Sequence, residues 1–154
     1  MSRTVVAGLG NPWRGDDGVG LAVAERLRGR LPSGVEVVSI VDEPTRLLDA
    51  FAAETVIVVD AVAAPEPVPG TVHRIDALEE TLPERFGSST HHFGLADTVE
   101  LARSLGRLPQ SLVVYGIEGA AFDAGDRLDP RVDRAAGEVA TRIATELEES
   151  PSLA

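Results

Sequence analysis

The sequence predicts an α/β fold: a three-layer sandwich with a mostly parallel, twisted sheet of about five strands and helices on both faces. Three observations lead to this prediction. Strand-type and helix-type segments alternate along the chain. Residues 55–59, TVIVV, are almost continuously apolar, as expected of a central parallel strand that is covered on both faces. Residues 132–147 repeat apolar side chains at spacings of three and four, the period of an amphipathic helix.

Local patterns predict the individual elements in chain order. Residues 4–7 form a short apolar strand that ends at a glycine, and β-branched side chains dominate 35–41 and 111–117. An edge strand is predicted at 71–75, after a loop with three prolines at 63–70. Helices are predicted at 19–31, 45–53, 93–104 and 132–147, and the poorly patterned segment 78–89 is expected to be a mobile surface segment.

Composition sets limits on the class of protein. The 154 residues fit one domain, residues 1–150, with a frayed tail at 151–154. A net charge of −11 disfavours nucleic acid as a partner, and the absence of cysteine excludes disulfides and thiolate chemistry. No apolar run approaches the roughly 20 residues that span a bilayer, so we expect no membrane association and a cytoplasmic location.

Acidic and histidine side chains follow the predicted strands. Residues 8–18 form a loop rich in glycine that carries Asp16 and Asp17, Asp60 follows the central strand, and His91 and His92 precede a helix. Ligands collect at the carboxyl ends of parallel strands. If the first and third strands are neighbours, Asp17 and Asp60 face one crevice, which a histidine from the third loop could complete. Two carboxylates and an imidazole suit zinc or nickel.

Each of these residues also has a purely structural interpretation. Asp60 could simply end an apolar strand, and Asp16 and Asp17 could cap the helix that follows them. Tandem histidines such as His91 and His92 are more often solvated than ligating. The sequence alone leaves both interpretations open.

Two further side chains are assigned structural positions. His73, in the predicted edge strand, is interpreted as a surface residue. Trp13, the only tryptophan, is predicted to pack in the core beneath the loop rather than to contact a substrate. An apolar recognition role is the alternative for this indole.

Four segments together resemble one known family, the nickel–iron hydrogenase maturation proteases. The loop at 8–20, GLGNPWRGDDGVG, is similar to the N-terminal motif of that family. VVDAV at 58–62 resembles the second motif of the family, and STHHFGL at 89–95 resembles the third. VYGIE at 114–118 is similar to the last strand of the family. The resemblance covers nearly the whole chain, in the order and size usual for the family.

The resemblance implies an endopeptidase that trims a C-terminal extension from the hydrogenase large-subunit precursor once nickel is loaded. Asp17, Asp60 and His91 match the metal ligands of the family and are therefore the predicted catalytic and metal-binding residues; Asp16 matches a loop aspartate with a structural role. The implied nickel is carried by the precursor, while zinc or cadmium could occupy the same ligands in vitro. The family is often grouped with aspartic-type peptidases, but no Asp-Thr/Ser-Gly motif is present, which favours metal chemistry.

The sequence departs from the family pattern at two places. Many members carry an Asp-Gly-Gly-Thr-like turn where this chain has VDEPT at 41–45, with Asp42 as a possible substitute. Many also carry Gln-Pro where this chain has Glu118 and Gly119. These departures concern substrate selectivity more than the predicted metal ligands.

Two other functions compete with the protease. A non-catalytic, nickel-sensing checkpoint protein for hydrogenase assembly would use the same three ligands. Peptidyl-tRNA hydrolase also begins with Gly-Leu-Gly-Asn-Pro, but it continues with glycine where this chain has Trp13, and it soon reaches a histidine that this chain lacks. The net charge of −11 also argues against a tRNA substrate.

Overall fold

A computed structural model describes residues 3–86 and 93–149 of the chain. The expected tail at 151–154 and the two tandem histidines lie outside the described residues. The strands are β1 Thr4–Gly10, β2 Val35–Val41, β3 Thr55–Val62, β4 Val72–Asp76 and β5 Ser111–Glu118. The helices are α1 Val19–Leu27, α2 Leu47–Ala50, α3 Leu95–Ser104 and α4 Pro130–Glu148, with 3₁₀ turns at Gly15–Gly18 and Pro44–Arg46.

The five strands form one sheet in the order β2-β1-β3-β5-β4. Pairing is parallel between β1 and β2, between β1 and β3, and between β3 and β5, whereas β4 runs antiparallel to β5 at the edge. Every residue of β3 is buried, because this central strand is covered on both faces. The mostly parallel sheet and the edge position of β4 are confirmed.

Helices cover both faces of the sheet, which confirms the three-layer sandwich. On one face, α1 and α4 enclose an apolar cluster that includes Val23, Val139 and Ile143. On the other face, α2, α3 and the segment before the gap at 87–92 enclose a second cluster. α4 begins where Asp129 accepts a hydrogen bond from the backbone N–H of Arg131 at 2.8 Å, a typical N-cap arrangement.

Two predicted helices are longer than the ones observed. The first ends at Leu27 instead of continuing to Leu31, because the backbone is extended at Arg28 and Gly29 has a φ of +79°. Leu31 nevertheless packs against the core from a turn. The helix predicted at 45–53 is reduced to a 3₁₀ turn and the single turn of α2.

The predicted surface segment at 78–89 is mostly exposed in the part that the structure describes, but it is anchored to the core at two positions. Leu82 and Phe86 are buried in the same cluster as α3. Phe86 also forms an isolated antiparallel bridge with Val62, at the end of β3. Leu82 and Phe86 are four residues apart, a spacing that also occurs on one face of a helix, but two apolar positions beside Pro83 and several charged residues do not define an element.

The sequence suggested that the central strand stops at Asp60, but the observed strand is longer. β3 continues through Val62, because the parallel register with β5 pairs Asp60 with Gly116 and Val62 with Glu118. Asp60 therefore lies within the strand and not after it, and all residues of β3 are buried.

None of the helices within residues 3–86 and 93–149 combines the length and the apolar character needed to cross a membrane.

Candidate active site

The glycine-rich loop after β1 brings the chain unusually close to the sheet. Gly10 has a φ of +147°, and a Cβ there would collide with the backbone carbonyl of Asp17. A Cβ at Gly20 would collide with the carbonyl oxygens of Leu9 and Val59. These glycines allow the 3₁₀ turn and the start of α1 to lie directly against the ends of β1 and β3.

Asp17 is placed by that turn and is only 5% exposed. Its carbonyl oxygen accepts from the N–H of Asn11 at 3.3 Å, and its own N–H donates to the carbonyl of Arg14 at 3.1 Å. The Arg14 Nη1 lies 3.8 Å from Asp17 Oδ2, so a guanidinium accompanies this carboxylate. Both backbone and side chain of Asp17 are thus held in position by the loop.

Asp60 is also only 5% exposed, near the carboxyl end of β3. Burial raises the pKa of Asp60 well above its usual value; the hydrogen bond from the N–H of Ala61, at 2.8 Å, lowers it, and the negative charge of Asp17 raises it further. The condition for a shared crevice, neighbouring strands β1 and β3, is met. The two predicted carboxylates are therefore buried at the carboxyl ends of neighbouring strands, where the charge of Asp17 acts on Asp60.

The predicted third ligand, His91, lies outside the described residues, as does His92. Phe86, the last described residue before the gap, pairs with Val62 two residues after Asp60. Within residues 3–86 and 93–149, no group of three His, Cys, Asp or Glu side chains is arranged to hold a metal ion. Asp17 and Asp60 nevertheless fit a divalent cation, because a positive ion would relieve the repulsion between two buried carboxylates.

Asp16 has a different role from its neighbour Asp17. Its carboxylate accepts three backbone N–H bonds, from Ala120 at 2.6 Å, Ala121 at 3.0 Å and Asp129 at 2.8 Å. The N–H of Asp16 in turn donates to the carbonyl of Ala121 at 2.9 Å. This carboxylate therefore ties the glycine-rich loop to the segment that follows β5, in agreement with the structural role implied by the resemblance.

Trp13 is 69% exposed, so its predicted place in the core is wrong. Its N–H donates to Asn11 Oδ1 at 2.9 Å, and its carbonyl accepts from the N–H of Gly125 at 2.9 Å. The backbone on both sides of the indole is committed to loop contacts, and the side chain points away from the core.

Asp42 also joins the glycine-rich loop. It has a left-handed φ of 59°, and its N–H donates to the carbonyl of Gly10 at 3.1 Å. Its carboxylate accepts from Asn11 Nδ2 at 3.3 Å. Although the family-like Asp-Gly-Gly-Thr turn is missing, an aspartate at the end of β2 contacts the loop that carries Asp17.

A carboxylate–imidazole pair that the sequence did not predict lies at the end of β5. Glu118 is 8% exposed; its Oε2 is 2.7 Å from His73 Nε2, and its Oε1 accepts from the N–H of Val68 at 3.1 Å. Burial alone would raise the pKa of Glu118, but the bonds from His73 and Val68 bring it below its usual value. The interpretation of His73 as a simple surface residue is therefore wrong, although its strand is the edge strand.

The model of one protein family, HycI hydrogenase maturation protease, matches residues 22–146. The chain belongs to the hydrogenase maturation protease family. The matched range includes Asp60 and His91 and begins shortly after the loop that carries Asp17. The chain is accordingly a peptidase.

Known relatives agree in sequence and in fold. The Hydrogenase 2 maturation protease of Escherichia coli (strain K12) is 29% identical over 136 residues, which cover 85% of this chain and 82% of the relative. The structure of the hydrogenase maturating endopeptidase HybD from E. coli superimposes with a TM-score of 0.81 at 26% identity, covering 97% of this chain and 94% of the other. The [NiFe] hydrogenase maturation protease HycI from Thermococcus kodakarensis KOD1 gives a TM-score of 0.76 at 25% identity, covering 96% and 94%.

Proposed function

We propose that this member of the family is an endopeptidase that removes the C-terminal extension of a nickel-loaded nickel–iron hydrogenase large-subunit precursor. The observation that supports the proposal is the pair of buried carboxylates, Asp17 and Asp60, which influence each other electrostatically at the carboxyl edge of a maturation-protease fold. Removal of the extension would let the active-site region of the large subunit close.

Asp17, Asp60 and His91 would engage the nickel of the precursor. Because burial and the charge of Asp17 raise the pKa of Asp60, this carboxyl group binds a proton more readily than an exposed aspartate does. An approaching dication favours release of that proton and binding through both carboxylates. The loaded nickel supplies positive charge that polarises a carbonyl group and lowers the pKa of bound water.

This arrangement explains how cleavage waits for metal loading. A precursor without nickel offers no cation to displace the proton of Asp60, so it lacks the charge interaction that would join both aspartates to the substrate. Nickel is thus part of the substrate in this proposal, and zinc or cadmium could take its place in vitro. The proposed partner is the large-subunit precursor alone, since the net charge of −11 disfavours nucleic acid. A cytoplasmic site of action is also proposed, in keeping with a chain that has no cysteine.

The direct test is to incubate the purified protein with nickel-loaded precursor and measure the mass of the precursor. We expect one discrete loss from its C-terminus, and no loss from the same precursor without metal. Stable binding without any change in mass would contradict the proposal and indicate a nickel-sensing checkpoint protein instead.

The histidines provide a matched pair of variants for the same assay. His91→Ala should abolish processing, because it removes the proposed imidazole ligand, while the adjacent His92→Ala should retain it. Circular dichroism of both variants would establish that each is folded. A fully active His91→Ala variant would show that this imidazole takes no part in the reaction.

A further inference from the structure

Trp13 has the most exposed large apolar side chain in the described parts of the chain. An indole that is 69% exposed leaves a large apolar surface in water, whereas most tryptophans are largely buried. Nothing in the proposed nickel chemistry uses it. Tryptophan is, however, one of the residues enriched among those that dominate binding energy at protein interfaces.

The indole is presented on a constrained backbone. The N–H of Trp13 donates to Asn11 Oδ1 at 2.9 Å, and its carbonyl accepts from the N–H of Gly125 at 2.9 Å. Two residues later, the N–H of Gly15 donates to the carbonyl of Gly125 at 2.8 Å. An aromatic side chain on such a backbone loses little conformational entropy on binding, which favours its use as a recognition contact.

Trp13 belongs to the same loop as the predicted site residue Asp17. Arg14, the next residue, places its guanidinium 3.8 Å from the Asp17 carboxylate. Val41, at the end of β2, and Val68, which is hydrogen-bonded to Glu118 at the end of β5, are exposed at the same carboxyl edge of the sheet.

Leu105, another exposed apolar residue, lies at the opposite edge. It follows α3, where the guanidinium of Arg103 donates to the carbonyl of Ala77 at 2.8 Å. The N–H of Ala77 donates to the carbonyl of Leu112, near the start of β5. Leu105 is therefore a control position for Trp13, because it is also exposed but lies at the edge of the sheet opposite to Asp17 and Asp60.

We propose that Trp13 is a substrate-recognition residue whose indole packs against an apolar side chain of the precursor segment presented to Asp17 and Asp60. The inference rests on the proposed function, since a peptidase must hold a polypeptide beside its reacting groups. The occupant is a polypeptide because a peptidase substrate is one, and the exposed indole belongs to the loop that carries Asp17. The net charge of −11 disfavours an acidic segment, and the apolar contact is inferred from the indole itself.

Steady-state cleavage of nickel-loaded precursor separates recognition from chemistry. Trp13→Ala should raise KM by at least about tenfold and leave kcat within about twofold, because truncation of a recognition residue weakens binding. Trp13→Phe should recover most of the loss, and Leu105→Ala should match the unmodified protein. The thermal midpoint should be unchanged in all three variants, since each alters an exposed side chain. An unchanged KM for Trp13→Ala would overturn the inference.

The single tryptophan also permits a direct measurement of binding. Biosynthetic replacement of Trp13 by 5-hydroxytryptophan would allow it to be excited separately from tryptophans of the precursor. Rapid mixing with nickel-loaded precursor should then change its emission at a rate proportional to precursor concentration, and no emission change would overturn the inference. An emission change without any cleavage would support recognition by Trp13 while refuting the proteolytic function, so the two failures are distinguishable.

Discussion

Removing the carboxylates of the two adjacent aspartates, Asp16 and Asp17, should have different effects on stability and activity. Asp16→Ala removes the acceptor for three backbone N–H groups, those of Ala120, Ala121 and Asp129. Asp17→Ala removes a carboxylate whose charge raises the pKa of Asp60. We therefore expect Asp16→Ala to lose stability and Asp17→Ala to lose activity while remaining folded.

The magnitude for Asp16→Ala follows from its hydrogen bonds. Each bond to a charged acceptor contributes about 1.5 kcal/mol net, and the donors left behind in a partly buried segment lose their partner. Three such bonds give a loss of about 3–5 kcal/mol in the free energy of unfolding. For a chain of 154 residues this corresponds to a fall of about 10 °C in Tm.

Asp17→Ala should change the free energy of unfolding by less than about 1 kcal/mol. Loss of the Arg14 guanidinium contact at 3.8 Å is offset by relief of the repulsion with Asp60. Urea unfolding followed by circular dichroism measures both values, with cleavage of nickel-loaded precursor as the activity assay. If Asp16→Ala proves too unstable to purify, Asp16→Asn keeps one oxygen acceptor and should lose about half as much. Equal stabilities for the two alanine variants would refute the division of roles between these residues.

Two further predictions concern the buried carboxyl group of Asp60 and the backbone at Gly10. Because the pKa of Asp60 is raised in the folded protein, its contribution to stability is fully present below the unfolded value near 3.8 and is lost as pH rises through the folded pKa. Asp60→Asn should therefore raise the free energy of unfolding at pH 7, and this gain in stability should disappear at about pH 3. The variant should also be inactive. An Asp60→Asn variant that is less stable than the original protein at pH 7 would contradict the burial argument. Gly10→Ala should cost more than about 3 kcal/mol and abolish cleavage, because a Cβ would collide with the Asp17 carbonyl. Gly29→Ala, at a φ of +79° with open space around it, should cost only about 1 kcal/mol and keep activity, and equal losses by urea unfolding would argue against this close approach.

The regular elements were predictable because their patterns are local. β2 spans Val35–Val41 as predicted, and α4 contains the whole repeat of apolar side chains expected at 132–147. Both elements have side-chain periods that identify one buried face, and their ends coincide with turn residues or an N-cap. The sequence brought Asp17 and Asp60 together only on the condition that the first and third strands are neighbours, and the structure meets that condition.

The failures arose where long-range pairing decided the outcome. β3 extends past Asp60 only because β5 pairs with it as far as Glu118. Phe86 is buried because it meets Val62, which is 24 residues earlier in the chain. His73 is bonded inward because the antiparallel edge pairing places it beside β5, a register that no local pattern encodes.

The sequence by itself determined the α/β class, the order of the elements and the family, because alternating periodicities and spaced motifs are properties of the chain alone. It also placed Asp17 and Asp60 at one edge of the sheet. The family resemblance assigned different roles to Asp16 and Asp17, but only the tertiary structure showed which backbone N–H groups bind the Asp16 carboxylate and that Trp13 faces solvent. The direction of a loop side chain depends on the left-handed glycines around it and on hydrogen bonds from a segment about 100 residues away, and neither constraint is visible in a local pattern.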